Sequence, residues 1–349
     1  MLKALLYIPL SCLYALGVSI RHWLFDKRLL PSFSVDIPTI CVGNIAAGGT
    51  GKTPMVEYIV RLLQDNGFHP AVLSRGYKRL SRGFVLADDS ATVDTIGDEA
   101  MQLHRKFPDL PVAVCEHRVR GVKQLQRLLP DVDVVVLDDA MQHRTIRCGF
   151  TVMLTPYNNL YIDDHMLPWG MLRDLPSRSL KADAIVVTKC PNDIRPIDMR
   201  VVDNRLHLPT YQLLHFAGLD YAPMEQDGTP LVLCGIAQPQ YMMNYVLQHY
   251  PKAELMVFPD HHRYAPQDIE AILDRAKHFD FVLTTEKDIQ RLRTTPLVER
   301  LNQQGKRLIA LPIRVRFCTP HELFDRQILT YVRENKINRK SSIVNRQYV

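Results

Sequence analysis

The run Gly43-Asn44-Ile45-Ala46-Ala47-Gly48-Gly49-Thr50-Gly51-Lys52-Thr53-Pro54 constrains this chain more than any other segment. It follows an apolar strand candidate, Thr39–Val42. It precedes Met55, Val56, Ile59, Val60, Leu62 and Leu63, apolar residues at helical spacing that Asn66-Gly67 brings to an end. Strand, glycine-rich turn and helix in that order open a β-α-β unit, so a mainly parallel sheet flanked by helices is predicted. Glycines let successive backbone N–H groups turn inward around phosphate oxygens, and the following helix presents its positive end to them. Pro54 suits a first helical turn, where a missing N–H costs little.

The residue types assign themselves to a nucleoside triphosphate. Gly48, Gly49, Thr50 and Gly51 wrap the phosphates, Lys52 reaches the β- and γ-phosphates, and the Thr53 hydroxyl ligates Mg²⁺. Ala46 stands where the usual phosphate-loop pattern has glycine, and the Gly48-Gly49 doublet supplies the flexibility instead. Downstream, Val134-Val135-Val136-Leu137-Asp138-Asp139 is an apolar strand ending in two carboxylates, the layout that delivers Asp138 and Asp139 to the Mg²⁺ shell. Thr188-Lys189 ends another strand where a nucleotide base can pack. Pro191 breaks the guanine signature there, so guanine specificity is not indicated.

Short apolar runs continue along the chain. Ala71–Leu73, Val112–Cys115, Val132–Leu137, Thr151–Leu154 and Ala184–Thr188 read as buried strands. A second set comprises Leu231–Cys234, Glu254–Phe258, Phe281–Thr285 and Leu308–Ile313, with helices near Pro239–Gln248 and Gln267–Ala276. The stretch from Val202 to Pro230 is weakly periodic and is taken as the join. The expected architecture is therefore a phosphate-loop NTPase-type α/β core over 34–210, with a smaller α/β lobe over 211–335 closing over the site. A basic, frayed tail follows over 336–349.

Residues 1–33 form a separate element. Ala4–Ile20 carries no charge, with Lys3 before it and Arg21, Trp23, Lys27 and Arg28 after it. Its seventeen residues span about 25 Å as a helix, slightly less than the ~30 Å hydrocarbon core. No small-residue cleavage site closes the run, so a membrane-associated helix with its cationic end at anionic headgroups is expected. The net charge of +6 cannot choose among anionic partners. Seven scattered cysteines without a C-x-x-C pair exclude a disulfide framework or zinc finger and suit reduced, buried thiols. No aromatic–basic stripe supports nucleic-acid binding.

Further pieces occur in a fixed order: Ser74-Arg75-Gly76-Tyr77, Gly97-Asp98-Glu99, Asp138-Asp139-Ala140-Met141-Gln142-His143, Leu167-Pro168-x-Gly170-x-Leu172-Arg173 and Asp260-His261-His262. With the phosphate loop, this set resembles the tetraacyldisaccharide 4′-kinase family of lipid A biosynthesis, from Thr39 to about Asp288. Ala140-Met141 stands where that family has Gly-Phe, and Asp174 where it has Glu. The resemblance implies ATP with Mg²⁺ and transfer of the γ-phosphoryl group to the 4′-hydroxyl of a membrane-resident acylated glucosamine disaccharide 1-phosphate, giving lipid IVA. It implies an active site facing the cytoplasm at the inner membrane of a Gram-negative cell, a phospholipid surface as partner, and no obligate protein partner.

For the chemistry, Asp98 is the candidate proton acceptor, with His261 hydrogen-bonding its carboxylate. A helix N-cap is the competing role for Asp98. Arg75, Arg118 and Arg173 are candidate cations around the migrating phosphoryl group or the acceptor, and Ser74 and Tyr77 candidate acceptor contacts. Gln142 and His143 are expected to face the same cleft and hold nucleotide or acceptor. Two rivals stand beside this reading. One is a membrane-associated ATPase of the partitioning or targeting type, which usually carries a lysine where this chain has Ala47. The other is a tethered module with a vestigial phosphate loop, against which the intact Lys52, Thr53, Asp138 and Asp139 argue.

Overall fold

The computed structural model describes residues 2–347, with side chains described over 7–336. The core begins with helix α1 (Leu2–Asp26), β1 (Thr39–Gly43), α2 (Lys52–Asp65), β2 (Pro70–Ser74), β3 (Val85–Leu86), α3 (Val93–Ile96), α4 (Asp98–Lys106) and β4 (Val112–Val114). It continues through α5 (Arg118–Leu128), β5 (Val134–Asp138), β6 (Phe150–Pro156), β7 (Ala184–Thr188), α6 (Pro196–Leu206) and β8 (Leu213–Tyr221). A second unit follows: β9 (Pro230–Cys234), α7 (Gln240–His249), β10 (Glu254–Val257), α8 (Pro266–Ala276), β11 (Phe281–Thr285), α9 (Asp288–Leu292), α10 (Leu297–Gln303) and β12 (Leu308–Leu311). The chain then returns to the core as β13 (Ile313–Phe317) and α11 (Glu322–Gln347).

Nine strands form the large sheet in the order β13-β8-β7-β6-β1-β5-β2-β4-β3, parallel except at its two edges. Both faces are covered. Met55, Val56, Ile59, Val60 and Leu63 of α2 are fully buried on one face, and Val122 and Leu125 of α5 on the other. At ~1.5–3 kcal/mol per fully buried aliphatic side chain, the α2 face alone anchors the phosphate-loop helix firmly. Strands buried on both sides must be continuously apolar, which is why β1, β2, β5 and β7 were visible in the sequence. The smaller sheet, β10-β9-β11-β12, is fully parallel and has its own two apolar layers.

The lobe boundaries differ from expectation. The segment taken as a join contains β8, which is hydrogen-bonded to β7 on one side and β13 on the other. The inserted lobe thus spans 222–312, and residues 313–347 belong to the large sheet's side of the molecule. The expected single strand Leu308–Ile313 is split by Pro312, whose missing N–H ends β12 and lets β13 enter the other sheet. The backbone of 336–347, expected to fray, continues α11, for no proline or glycine interrupts the sequence from Glu322 onward; residues 348–349 lie outside the described residues.

Helix α1 runs longer than the uncharged stretch and lies against the core along one face. Ser11, His22 and Phe25 are buried, while Leu13, Leu16, Ile20 and Trp23 are at least half exposed. Tyr7–Asp26 is long and apolar enough to cross a membrane by composition.

Candidate active site

The loops after β1, β5 and β7 open into a cleft of about 790 Å³, walled on the other side by the inserted lobe. This is where a parallel sheet binds ligands, beyond the carboxyl ends of its strands. Gly43 closes β1 because a Cβ there would meet the Met141 Cβ at 2.6 Å. Asn44, fully buried, organises the loop. Its amide donates to Ala46 O at 2.7 Å, and its Oδ1 accepts from Arg173 Nη2 at 2.6 Å and Lys52 Nζ at 3.5 Å. Gly51 then turns into α2 at φ 87°, and Thr188 at the end of β7 donates to Thr50 O at 2.8 Å. Gly48, Gly49, Thr50, Gly51, Lys52 and Thr53 all line the cleft, as expected from the sequence.

Asp138 and Asp139 lie across from this loop. Burial, then the charges of Glu99 and Asp139, push Asp138 up to about 7 against the pull of Lys52 and Arg118. Asp139 is partly buried, which would raise its carboxyl, but Lys52 and Arg173 overcome that effect and hold it below the usual range. Its Oδ1 lies 3.8 Å from Lys52 Nζ and 2.5 Å from Arg173 Nη2. The Asp138 Oδ1 and the Thr50 Oγ1 are buried without a hydrogen-bond partner. A buried carboxylate oxygen without a donor, beside Asp139 and the Thr53 hydroxyl, is a hard-oxygen set that fits Mg²⁺. Among the described residues no cluster of three or more His, Cys, Asp or Glu side chains is placed to hold a metal ion.

Asp98 opens α4 just after Gly97, whose φ of 86° is left-handed and whose Cβ position is crowded by the Tyr77 carbonyl at 3.0 Å. The carboxylate is 1% exposed and reaches across to the inserted lobe. His261 Nδ1 lies 2.9 Å from Asp98 Oδ2, and Arg291 Nη2 is 2.9 Å from the same oxygen. Burial would raise the Asp98 pKa, but the His261 hydrogen bond and the charges of Lys287 and Arg291 outweigh it and lower it. Asp98 itself does not line the cleft; His261 does, with its Nε2 3.0 Å from Lys287 Nζ and its ring edge-on to Tyr77 at 4.8 Å. The two residues that the sequence paired are therefore brought together, with His261 as the member reaching the cleft.

Of the other expected residues, Ser74, Arg75, Tyr77, Gln142, His143 and Arg173 line the cleft. Burial, with the charges of Arg118 and Arg75, depresses His143 to about 4, so it is neutral at physiological pH. Arg118 is placed differently. It is fully buried behind the carboxylates, with Nη1 donating to Cys115 O at 2.7 Å, and it borders a separate groove. Its charge reaches Asp138 and Asp139 without the side chain entering the cleft.

Several site residues had no sequence signal of their own. Lys287 bonds Asp260 at 3.0 Å and lies 3.4 Å from Glu99, while Arg291 donates to His262 O at 2.9 Å. Lys189, marked in the sequence only as a strand end beside which a base can pack, faces the phosphate loop and sits over the Tyr241 ring at 4.9 Å; burial, then repulsion by Lys52, lowers it to about 8. Helix α1 supplies Tyr14 and Arg21 to the wall. The Tyr14 hydroxyl donates to Arg173 O at 3.1 Å, Arg21 to Gln142 O at 2.8 Å, and His22 lies 2.5 Å from Asp174. Four of the six described non-glycine residues with positive φ, namely Lys78, Asp139, Lys189 and His261, line this cleft. Such conformations cost of order 1–3 kcal/mol each and persist where packing holds functional groups in place.

A phosphate loop, two strand-end carboxylates and converging cations in one cleft, with a carboxylate-backed histidine in its wall, define a phosphotransferase of the phosphate-loop class. The sequence model of tetraacyldisaccharide-1-P 4′-kinase matches residues 2–333. The tetraacyldisaccharide 4′-kinase of Flavobacterium johnsoniae is 41% identical over 347 residues, covering 96% of this chain and 98% of its own length. That of Bacteroides thetaiotaomicron is 40% identical over 360 residues, covering 95% and 93%. The crystal structure of the "apo" form of LpxK from Aquifex aeolicus in complex with ATP superposes with a TM-score of 0.72 at 25% identity, covering 95% of this chain and 99% of that one. The chain belongs to the tetraacyldisaccharide-1-P 4′-kinase family.

Proposed function

We propose that this protein transfers the γ-phosphoryl group of ATP to the 4′-hydroxyl of tetraacyldisaccharide 1-phosphate, giving lipid IVA in lipid A biosynthesis. Membership of the family supports this over the partitioning-type ATPase. The observation that carries the chemistry is the Asp98–His261 pair, which sets a proton acceptor from the inserted lobe opposite the phosphate loop.

The roles follow from position. The backbone of Gly48–Gly51 and the Lys52 ammonium hold the phosphates, and Lys52 stays beside the γ-phosphoryl group as charge redistributes. Thr53, Asp138 and Asp139 would hold Mg²⁺, which when bound neutralises phosphate charge. Arg173 keeps Asp139 and Asn44 in register. As the acceptor oxygen bonds to phosphorus and the bond to the ADP oxygen breaks, the hydroxyl proton passes to the Asp98–His261 pair. With Nδ1 of His261 against Asp98, which orients the ring, Nε2 is the nitrogen left to take the proton. Ser74, Arg75, Tyr77, Gln142 and His143 contact the acceptor or nucleotide, and Arg118 supports the carboxylates from behind.

Helix α1 is the anchor. Its exposed apolar residues suit the headgroup–acyl boundary, and its docked face makes the membrane contact part of the cleft wall, so the helix lies in the interface rather than spanning the bilayer alone. With ATP as donor, the lobes face the cytoplasm.

The test supplies Mg·ATP and tetraacyldisaccharide 1-phosphate in mild detergent and examines the lipid by mass spectrometry. One added phosphate, dependent on Lys52, supports the assignment. ATP hydrolysis with no lipid product would return the partitioning-type ATPase.

A further inference from the structure

A second groove, of about 720 Å³, lies along α5, which covers the face of the large sheet opposite α2. Its lining contains His117, Arg118, Arg120, Lys123 and Arg127 and no acidic residue. Arg120, Lys123 and Arg127 recur on one helical face and are exposed. Among the described residues these three make no ion pair, although twenty-five such pairs occur elsewhere in the structure. Uncompensated cations at this density repel one another and favour an anionic partner.

The groove also has an apolar rim and a defined neighbour. Phe33 and Leu128 border it and are 50% and 53% exposed. Phe33 N donates to Thr145 O at 2.8 Å, and Thr145 follows Arg144, which bonds His22 and Asp26 at the end of α1. Exposed Lys27, Arg28 and Leu29 lead from α1 toward this rim. The cationic groove is therefore tied through its rim to the C-terminal end of α1. Cations beside exposed large apolar side chains match the boundary between phospholipid headgroups and acyl chains.

We propose that the α5 groove docks on the anionic bilayer surface, with Arg120, Lys123 and Arg127 binding phospholipid headgroup phosphates as a second contact beside α1. This rests on the reading of α1 as a membrane anchor. Two contacts fix the rotation of the enzyme about the axis of α1, which one helix cannot do, and so hold the cleft mouth at the lipid plane.

The experiment measures flotation of the full-length protein with vesicles of phosphatidylcholine alone and of phosphatidylcholine mixed with phosphatidylglycerol. At about 1 kcal/mol per basic residue at an anionic surface, the wild type should bind the mixed vesicles roughly tenfold or more tighter, with added salt erasing the gain. The variant Arg120→Gln/Lys123→Gln/Arg127→Gln should lose that gain, bind phosphatidylcholine like the wild type and melt at the same temperature. A variant that keeps the anionic preference overturns the groove and leaves the anchor standing. A wild type that floats with neither vesicle overturns the anchor and the groove together. The KM for the lipid acceptor in neutral detergent should be unchanged; a raised KM would assign the groove to the acceptor's own phosphate and overturn the headgroup proposal.

Discussion

Replacing Lys106 with methionine removes the centre of a three-part ionic chain. Its Nζ lies 2.8 Å from Glu57 Oε2 on the phosphate-loop helix and 2.6 Å from Glu286 Oε1 on the inserted lobe. Glu57 is fully buried, and Glu286 also accepts from Ile313 N at 3.1 Å. Taking one partner from a buried pair costs about 3–5 kcal/mol. Here Arg61 at 3.1 Å and the Gln102 amide at 2.8 Å still bond Glu57, so a cost of about 2–3 kcal/mol is expected. For a chain of this size that lowers the melting midpoint by roughly 3–4 °C. Burial already raises the Glu57 pKa, with Lys106 the leading opposing influence, so the variant raises it further. A raised folded-state pKa gives stability that is full below the ordinary carboxyl value and lost as pH rises through the folded one. The variant should therefore lose stability more steeply than the wild type as pH rises above the ordinary carboxyl range. Since Glu286 adjoins Lys287, kcat should fall more than the affinity for ATP. Adding Glu57→Gln should recover most of the melting temperature but not kcat. A Lys106→Met protein that melts with the wild type at every pH would refute the reasoning.

Lys52→Ala should abolish lipid phosphorylation, measured by mass spectrometry, since Lys52 also loses its hold on Asp139. Asp98→Asn should lower kcat by ~10²–10⁴ while ATP affinity, measured by calorimetry, stays near wild type; a parallel loss of ATP binding would move Asp98 to a nucleotide role. Because Asp138 is pushed up to about 7, its contribution to nucleotide-free stability is present at acid pH and lost as pH rises through that value. Mg·ATP binding, which needs the carboxylate, should tighten over the same range and release a proton that calorimetry in two buffers detects; Asp138→Asn should remove the release. Deleting residues 1–30 should weaken vesicle binding and also lower turnover in detergent, because Tyr14 and Arg21 leave the cleft wall.

What the sequence made legible was local. The phosphate loop and the strand ending in Asp138-Asp139 announce themselves because one segment contains both the geometry and the ligands. Strand β8 was missed because Leu213–Tyr221 carries Gly218 and Asp220 and is exposed at both ends, so no two-sided apolar run marks it. Helix α5 was missed for the opposite reason: only Gly121, Val122 and Leu125 face the sheet below a cationic surface. Lys287 and Arg291 had no signal, since their partners Glu99 and Asp98 lie in the other lobe. Asp174, a departure from the family pattern, has its account in space, where it meets His22 of α1.

The inserted lobe leaves the core after Tyr221 and returns at Ile313, and these two residues face each other in register in adjacent antiparallel strands. Its entry and exit thus sit about 5 Å apart, the separation of paired strands. A segment with such closely spaced ends behaves as a cassette: residues 222–312 carry their own sheet and two apolar layers, and a short turn joining Tyr221 to Ile313 would restore a plain hairpin. The nucleotide-binding half and the half that brings His261 can accordingly be pictured as separable parts of one machine, joined by two strands.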